Sequence, residues 1–208
     1  MAGDAADLRR DERRKTILKV AGEVFYEEGF AGASMSAICA RLGGSKGTLY
    51  NYFDNKEQLF EAVISDRCQW FSESVFSDVD DSQPVRELLL HVGESFLEQL
   101  NEPVMQLIRL VISEAERLPE VARIFHENGP QATAVRLARR LEAAKARGGF
   151  DAPDCLAAAH QFLALCRGEL HFQRLLNLVP APDHARAQAE VEAAVDMFLA
   201  RYPLPAAA

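Results

Sequence analysis

The sequence predicts an all-α protein, on three observations. Apolar residues recur at intervals of three and four along almost the whole chain, which gathers them on one face of a 3.6-residue helix. No stretch shows the strict apolar-polar alternation of a half-buried strand. Short clusters of Gly, Pro, Ser, Asp and Asn interrupt the apolar pattern where helices of ordinary length should stop and restart. No internal repeat is apparent.

The elements follow in order. Ile17, Val20, Ala21, Val24 and Phe25 mark the buried face of a first helix. It ends at Glu27-Glu28-Gly29, where glycine can take the left-handed closing conformation. Ser34 or Ser36 starts a second helix running to Leu42, because a side-chain oxygen there can accept from the unpaired amides of a first turn. Gly43-Gly44-Ser45 breaks it, and 46–53 is a third helix of barely two turns. Asp54-Asn55 restarts the chain into a long fourth helix over 56–77, carrying Leu59, Phe60, Val63, Ile64 and Trp70. "SDVDDSQP" at 77–84 is a polar loop whose proline is placed to open the next helix. Helices over 85–100, 103–118, 119–128 and 130–148 follow, punctuated by Pro103, Pro119 and Gly129-Pro130. After Gly148-Gly149 a long apolar helix covers 153–178, and a last helix covers 183–202.

Bulk properties bound the function. The chain has 208 residues, 49% hydrophobic and 26% charged, which suits a folded globular protein. It has no apolar run of about 18 residues for a membrane span. The N-terminal "MAGDAADLRRDERRK" lacks the apolar centre of a secretory signal, so the cytoplasm is the expected compartment. Cys39, Cys68, Cys155 and Cys166 form no CxxC pair and no zinc-finger spacing with histidine, so they read as small buried hydrophobes. No metal and no cofactor is expected. The net charge of -8 argues at first against a polyanionic partner. Its distribution changes that reading: residues 1–56 are net +1, and the remainder is net -9. Only the first quarter of the chain suits a polyanion.

Helices two and three, joined by a glycine turn, have helix-turn-helix proportions. In that arrangement the second helix enters the major groove of DNA, with its N-terminal residues facing base edges. Gly47 allows close backbone approach, while Lys46 and Thr48 near the tip can reach bases or phosphates. Tyr50 and Tyr52 can donate phenolic hydroxyls to phosphate oxygens, and Leu49 and Phe53 lock the helix onto its core. Lys56 adds a charge and the amides of a helix N-terminus to one phosphate. Three short helices bury too little surface to stand alone, so they should lean on the fourth. The expected division is a small head at 1–60 and a larger helical body at 61–208, with the boundary inside the long fourth helix; the family resemblance given below implies DNA binding for the first and ligand binding and dimerisation for the second. Arg9, Arg10, Arg13 and Arg14 suggest an arm for an adjacent groove, but Asp7, Asp11 and Glu12 dilute them, which favours a solvated helix start.

The stretch from Ile17 to Val63, "ILKVAGEVFYEEGFAGASMSAICARLGGSKGTLYNYFDNKEQLFEAV", resembles the DNA-binding head of the TetR/AcrR family of bacterial transcriptional regulators. The resemblance rests on Gly29-Phe30, Ser34, Ile38, Leu42-Gly43, "SKGTLYNYF" and "NKEQL". It implies double-stranded operator DNA as partner, with Ser36, Lys46, Gly47, Thr48, Tyr50, Tyr52 and Lys56 at positions that commonly touch it; Ser45 and Asn51 complete the candidate set. Cys39, Gly44 and Asn51-Tyr52 depart from the residues usual in the family. The resemblance also implies a homodimer through the last two helices. In keeping with that, Val191, Ala194, Val195, Phe198, Leu199 and Tyr202 make a wide apolar stripe, and Leu156-Ala157-Ala158-Ala159 permits close helix approach. A symmetric pair also doubles the base contacts of one short helix.

"RLVISEAERLPEVARIFHENGPQ" and "GGFDAPDCLAAAHQFLALCRGELHFQRLL" resemble the C-terminal domain of the AefR-like subgroup. The implied role is a repressor of efflux or related operons, relieved by an unidentified small-molecule effector. Candidate lining residues for the effector are Trp70, Phe96, Met105, Arg109, Phe125, Phe162, Cys166 and His171. Arg109, Glu114 and His171 would serve a polar ligand. The competing class is an all-α enzyme, such as a di-metal carboxylate bundle built on Glu-x-x-His pairs. None of His91, His126, His160, His171 and His184 has a glutamate three residues earlier, and no Gly-x-Ser-x-Gly is present. A regulator that activates, or that takes no ligand, fits the sequence equally.

Overall fold

The computed structural model describes residues 2–43, 46–80 and 82–204, and for residues 2–6 and Lys46 the backbone alone. Among the described residues the order is α1 (Ala2–Gly32), α2 (Met35–Leu42), α3 (Lys46–Tyr50), α4 (Lys56–Val75), α5 (Val85–Gln99), α6 (Glu102–Glu114), α7 (Pro119–His126), a π-helical turn (Glu127–Gln131), α8 (Ala132–Ala146), α9 (Cys155–Leu175) and α10 (His184–Arg201). There is no strand among them.

The chain forms two compact units, and the division falls inside α4, after Cys68. Unit one is Met1–Cys68 together with Gln106–Phe125; unit two is Gln69–Met105 together with His126–Ala208. The sequence reading assigns all of 61–208 to the body. Within that range, Leu107, Val111 and Val121 share one buried core with Ile17, Phe25, Ile38, Leu49 and Phe60 of the head. Helix periodicity shows that a face is buried but not which partner buries it.

The core of unit one is knit by three phenylalanines. Phe25 of α1, Phe30 of the following turn and Phe60 of α4 lie with ring centroids 5.9, 4.8 and 4.9 Å apart, within the range of favourable aromatic packing. α1 breaks at Gly29 (φ 70°, ψ 170°), at the position the sequence marks as its end. Residues 9–14 are helical, so the arginines there form no extended arm; the Arg14 guanidinium sits 5.6 Å over the Phe53 ring.

Unit two packs α5, α8, α9 and α10 around Phe96, Phe150, Phe162, Val191 and Phe198. Phe198 stacks near Phe150 and edge-on to Phe162, at 6.0 and 5.5 Å. At Gly93 of α5 the helices meet closely: a Cβ there would lie 2.6 Å from Val191 Cγ1 and 3.4 Å from Phe162 Cζ. Asp154 and Asp183 cap α9 and α10, accepting from the first-turn amides at 2.9 to 3.0 Å.

Two boundaries depart from expectation. α6 stops at Glu114 rather than 118, where the Leu118 amide still donates to the Glu114 carbonyl (2.8 Å) but Pro119 disfavours a helical residue before it. Gly129-Pro130, read as a break, is carried instead through the π-helical turn, with the Ala132 amide donating to Glu127 and Gly129 carbonyls. Wider winding accommodates a residue that has no amide hydrogen and whose ring would strike an α-helical carbonyl.

Candidate nucleic-acid interface

Each side of the two-helix element is fixed by a local device. Ser34 is the N-cap of α2: its hydroxyl oxygen accepts from the Ala37 amide at 3.1 Å. Gly43 closes α2 in the left-handed conformation (φ 63°, ψ 24°), and its amide donates to the Ala40 carbonyl at 3.2 Å. α3 proper ends at Tyr50, but Asn51 donates to Gly47 and Phe53 to Leu49, both at 3.1 Å, so helical winding persists to 53. α4 then opens with a reciprocal cap. Asn55 accepts from the Gln58 amide, and Gln58 accepts from the Asp54 amide, both at 2.7 Å.

The geometry sorts the α3 side chains. Leu49 and Phe53 are fully buried in the head core. Gly47, Tyr50 and Asn51 are exposed, Tyr50 to 49%, while Thr48 is half-buried. Tyr52 is half-buried and packs against the core, which leaves it less free to reach out than Tyr50. Ser36 is exposed on the first turn of α2. Ser45 lies outside the described residues, as does the side chain of Lys46. The helix therefore presents one apolar face inward and one small, hydroxylated face outward. Behind it, Arg41 of α2 pairs with Glu27 of α1 at 2.7 Å. That hydrogen bond lowers the Glu27 carboxyl and raises the Arg41 guanidinium, so both remain charged and bind α2 to α1.

Lys56, expected to meet a phosphate, is engaged within the head. Its Nζ donates to the Phe30 carbonyl at 2.6 Å and the Ala33 carbonyl at 2.9 Å, and it lies 4.3 Å over the Phe30 ring. The ammonium is held inward and pins the turn that leads into the Ser34 cap, rather than projecting toward a phosphate. Arg117 adds a second cation 4.7 Å over the same ring and is itself held by Glu114 at 2.7 and 2.9 Å. Glu114, expected to serve a polar ligand, is thus engaged within unit one. Both contacts were outside the reach of sequence reasoning, since their partners lie far along the chain. The cap at Asn55 was legible from the Asn-x-x-Gln spacing alone.

The expected effector-lining residues fall in both compact units. Phe96, Met105, Phe162 and Cys166 are buried in unit two, and His171 is half-buried there. Arg109 and Phe125 belong to unit one, where Phe125 borders the head core. Trp70 is 44% exposed. The buried stripe of α4 continues from Ile64 through Cys68, Phe71, Ser72 and Val75, and Trp70 sits about 100° around the helix from Phe71.

Taken together, a capped short helix, a left-handed glycine turn and a second short helix with an exposed polar face define a helix-turn-helix DNA-binding protein. Comparison with known proteins agrees. Residues 17–63 match the family model described as bacterial regulatory proteins, tetR family. Residues 87–203 match the model described as AefR-like transcriptional repressor, C-terminal domain. The chain belongs to the TetR family, and it is a DNA-binding transcriptional regulator, not an enzyme.

Among solved structures, a TetR-family transcriptional regulator from Mesorhizobium loti superposes with a TM-score of 0.86 at 25% identity, over 93% of this chain and 98% of that one. The flavonoid-responsive regulator FrrA superposes with a TM-score of 0.76 at 32% identity, over 95% and 100% of the two chains. The transcriptional regulator UidR of Escherichia coli K12 is 51% identical over 51 residues, 24% of this chain and 26% of that protein. The chain thus spans about a quarter of the length of the curated relatives it matches first.

Proposed function

We propose that this regulator is a homodimeric repressor that leaves its operator when a small molecule binds its helical body. In this reading the head of residues 1–60 holds DNA through Ser36, Ser45, Lys46, Gly47, Thr48, Tyr50, Asn51 and Tyr52. The body of residues 61–208 dimerises and takes the effector. The observation that carries the reading is the outward polar face of α3, set on buried Leu49 and Phe53. One such helix offers few base contacts, and pairing two on a symmetric operator doubles them. Support for pairing comes from Phe172 near the end of α9, Leu176 and Leu178 just after it and Met197 of α10, large apolar side chains left exposed. The flavonoid-responsive relative supports an effector, and the AefR-like body supports an efflux or related operon as target. Trp70, Phe96, Met105, Arg109, Phe125, Phe162, Cys166 and His171 are the effector candidates of this reading. A protein acting on the chromosome in this way works in the cytoplasm.

Release follows if the effector binds the DNA-incompetent arrangement more tightly than the competent one. Fluorescence anisotropy on promoter DNA beside the protein's own gene tests the reading. Binding should weaken steeply with salt, and Tyr50→Ala should lower affinity while leaving the melting temperature unchanged. Absence of salt-sensitive binding at every such fragment would defeat it.

A further inference from the structure

One cluster in unit two is not explained by packing. Arg167, His171 and Arg174 occur at intervals of four and three along the second half of α9, on either side of the break at Gly168 (φ 49°, ψ -160°). Arg174 is only 5% exposed, and its Nη1 donates to the Leu100 carbonyl, which closes α5. A cation at the negative end of a helix is a structural arrangement in its own right, and it accounts for the burial of Arg174. It does not account for the other two. Arg167 is half-buried with its guanidinium 5.7 Å over the Phe96 ring, an attraction that leaves its charge unneutralised. His171 has a buried Nδ1 with no hydrogen-bond partner among the described residues.

Both guanidinium groups lie near enough to His171 to act on its charge. Burial, then Arg167 and Arg174, push His171 down to about 4, so its imidazole is neutral at pH 7. Burial also lowers Arg167. No carboxylate is among the groups acting on either residue. A half-buried positive charge without an anion is an unfavourable arrangement that an incoming anion relieves. The surroundings are apolar: buried Phe96, with Phe71 edge-on at 5.7 Å, and buried Cys166 and Leu170 on α9 itself.

From this juxtaposition we infer that Arg167 and His171, backed by Arg174, bind the carboxylate of a hydrophobic organic acid, which is the effector of this regulator. The inference rests on the reading that the body takes a small-molecule effector and adds its chemical class. The Arg167 fork matches two carboxylate oxygens, and the neutral imidazole supplies an Nδ1–H donor. Phe96, Cys166 and Leu170 suit an apolar skeleton rather than an inorganic ion.

Calorimetry on the full chain with matched probes tests this: phenylpropionate against phenylpropanamide, decanoate against decanamide, and inorganic phosphate alone. Each acid should bind about 10- to 100-fold more tightly than its amide, the range expected for charge-assisted hydrogen bonds. Arg167→Gln should abolish that preference, Arg167→Lys should keep part of it, and His171→Gln should reduce it, with thermal melts unchanged for at least one of the three. Equal binding of acid and amide, no binding of either, or a preference that survives Arg167→Gln overturns the assignment. Phosphate binding as tightly as the acids overturns the organic-acid class. Either failure with operator binding intact leaves the regulator reading standing, whereas loss of operator binding would strike that reading without touching the calorimetric comparison.

Discussion

Lys56 separates a structural role from a DNA-contacting one, and Lys56→Met is the perturbation that does so. The wild-type ammonium donates to two carbonyls at 2.6 and 2.9 Å and lies 4.3 Å over the Phe30 ring. A hydrogen bond from a charged donor contributes about 1.5–3 kcal/mol, and a partly exposed cation over an aromatic ring about 0.5–1 kcal/mol. Lys56 is half-buried, so water replaces part of what is lost, and a net loss of about 2–3 kcal/mol is a reasonable expectation from these ranges. For a chain of this length each kcal/mol moves the melting temperature by about 2–4 °C. The head should therefore melt roughly 4–12 °C lower in the variant, by circular dichroism or calorimetry. Operator binding measured well below that melt supplies the second half of the test. A lysine that neutralises a phosphate contributes about 0.9 to the slope of log affinity against log salt. Held on carbonyls, Lys56 contributes nothing to that slope, so Lys56→Met should bind DNA with unchanged salt dependence. An unchanged melting temperature together with a slope lower by about one per protomer would refute the structural assignment.

Three further outcomes are expected. Gly93→Ala gains roughly 1 kcal/mol of helix propensity, but its Cβ would meet fully buried, β-branched Val191 at 2.6 Å, and overpacking costs about 1–3 kcal/mol. Denaturant titration should show net destabilisation that Val191→Ala partly relieves; a more stable Gly93→Ala would contradict the close approach. Replacing Leu176 and Met197 together by Glu should convert a dimer to a monomer in analytical ultracentrifugation and cut operator affinity, with the helical circular dichroism signal kept. His171 has its folded pKa depressed to about 4, from an ordinary value near 6.5. Between those two pH values the unfolded chain binds the extra proton, so stability falls as pH drops from about 6.5 toward 4 and levels off below. The melting difference between wild type and His171→Gln, taken at pH 7.5 and at pH 5, should reveal that loss.

Much of the head was readable before any coordinates. The cap at Ser34 or Ser36, the Gly29 and Gly43 closures and the inward pair Leu49 and Phe53, like the Asn55-x-x-Gln58 cap that the sequence analysis did not draw, all depend on residues at most four apart. A helix turn brings such residues together whatever the rest of the chain does. The expected ends of α5, α9 and α10 were close to those observed for the same reason: proline, aspartate and glycine act on the backbone beside them.

What the sequence determined by itself was therefore the all-α class, the succession of helices and the two-helix element that carries the DNA-binding function. The tertiary structure decided the rest. It turned the Lys56 ammonium onto carbonyls 23 and 26 residues away, and it joined Gln106–Phe125 to the head's core. It left Trp70 exposed and set Arg167 over the Phe96 ring and Arg174 on the Leu100 carbonyl. The physical reason is common to all four. Periodicity fixes which residues of a helix lie on the same face, whereas the partner of that face depends on how separate helices rotate and pack. That choice is set by non-directional burial summed over the whole core, not by any local signal.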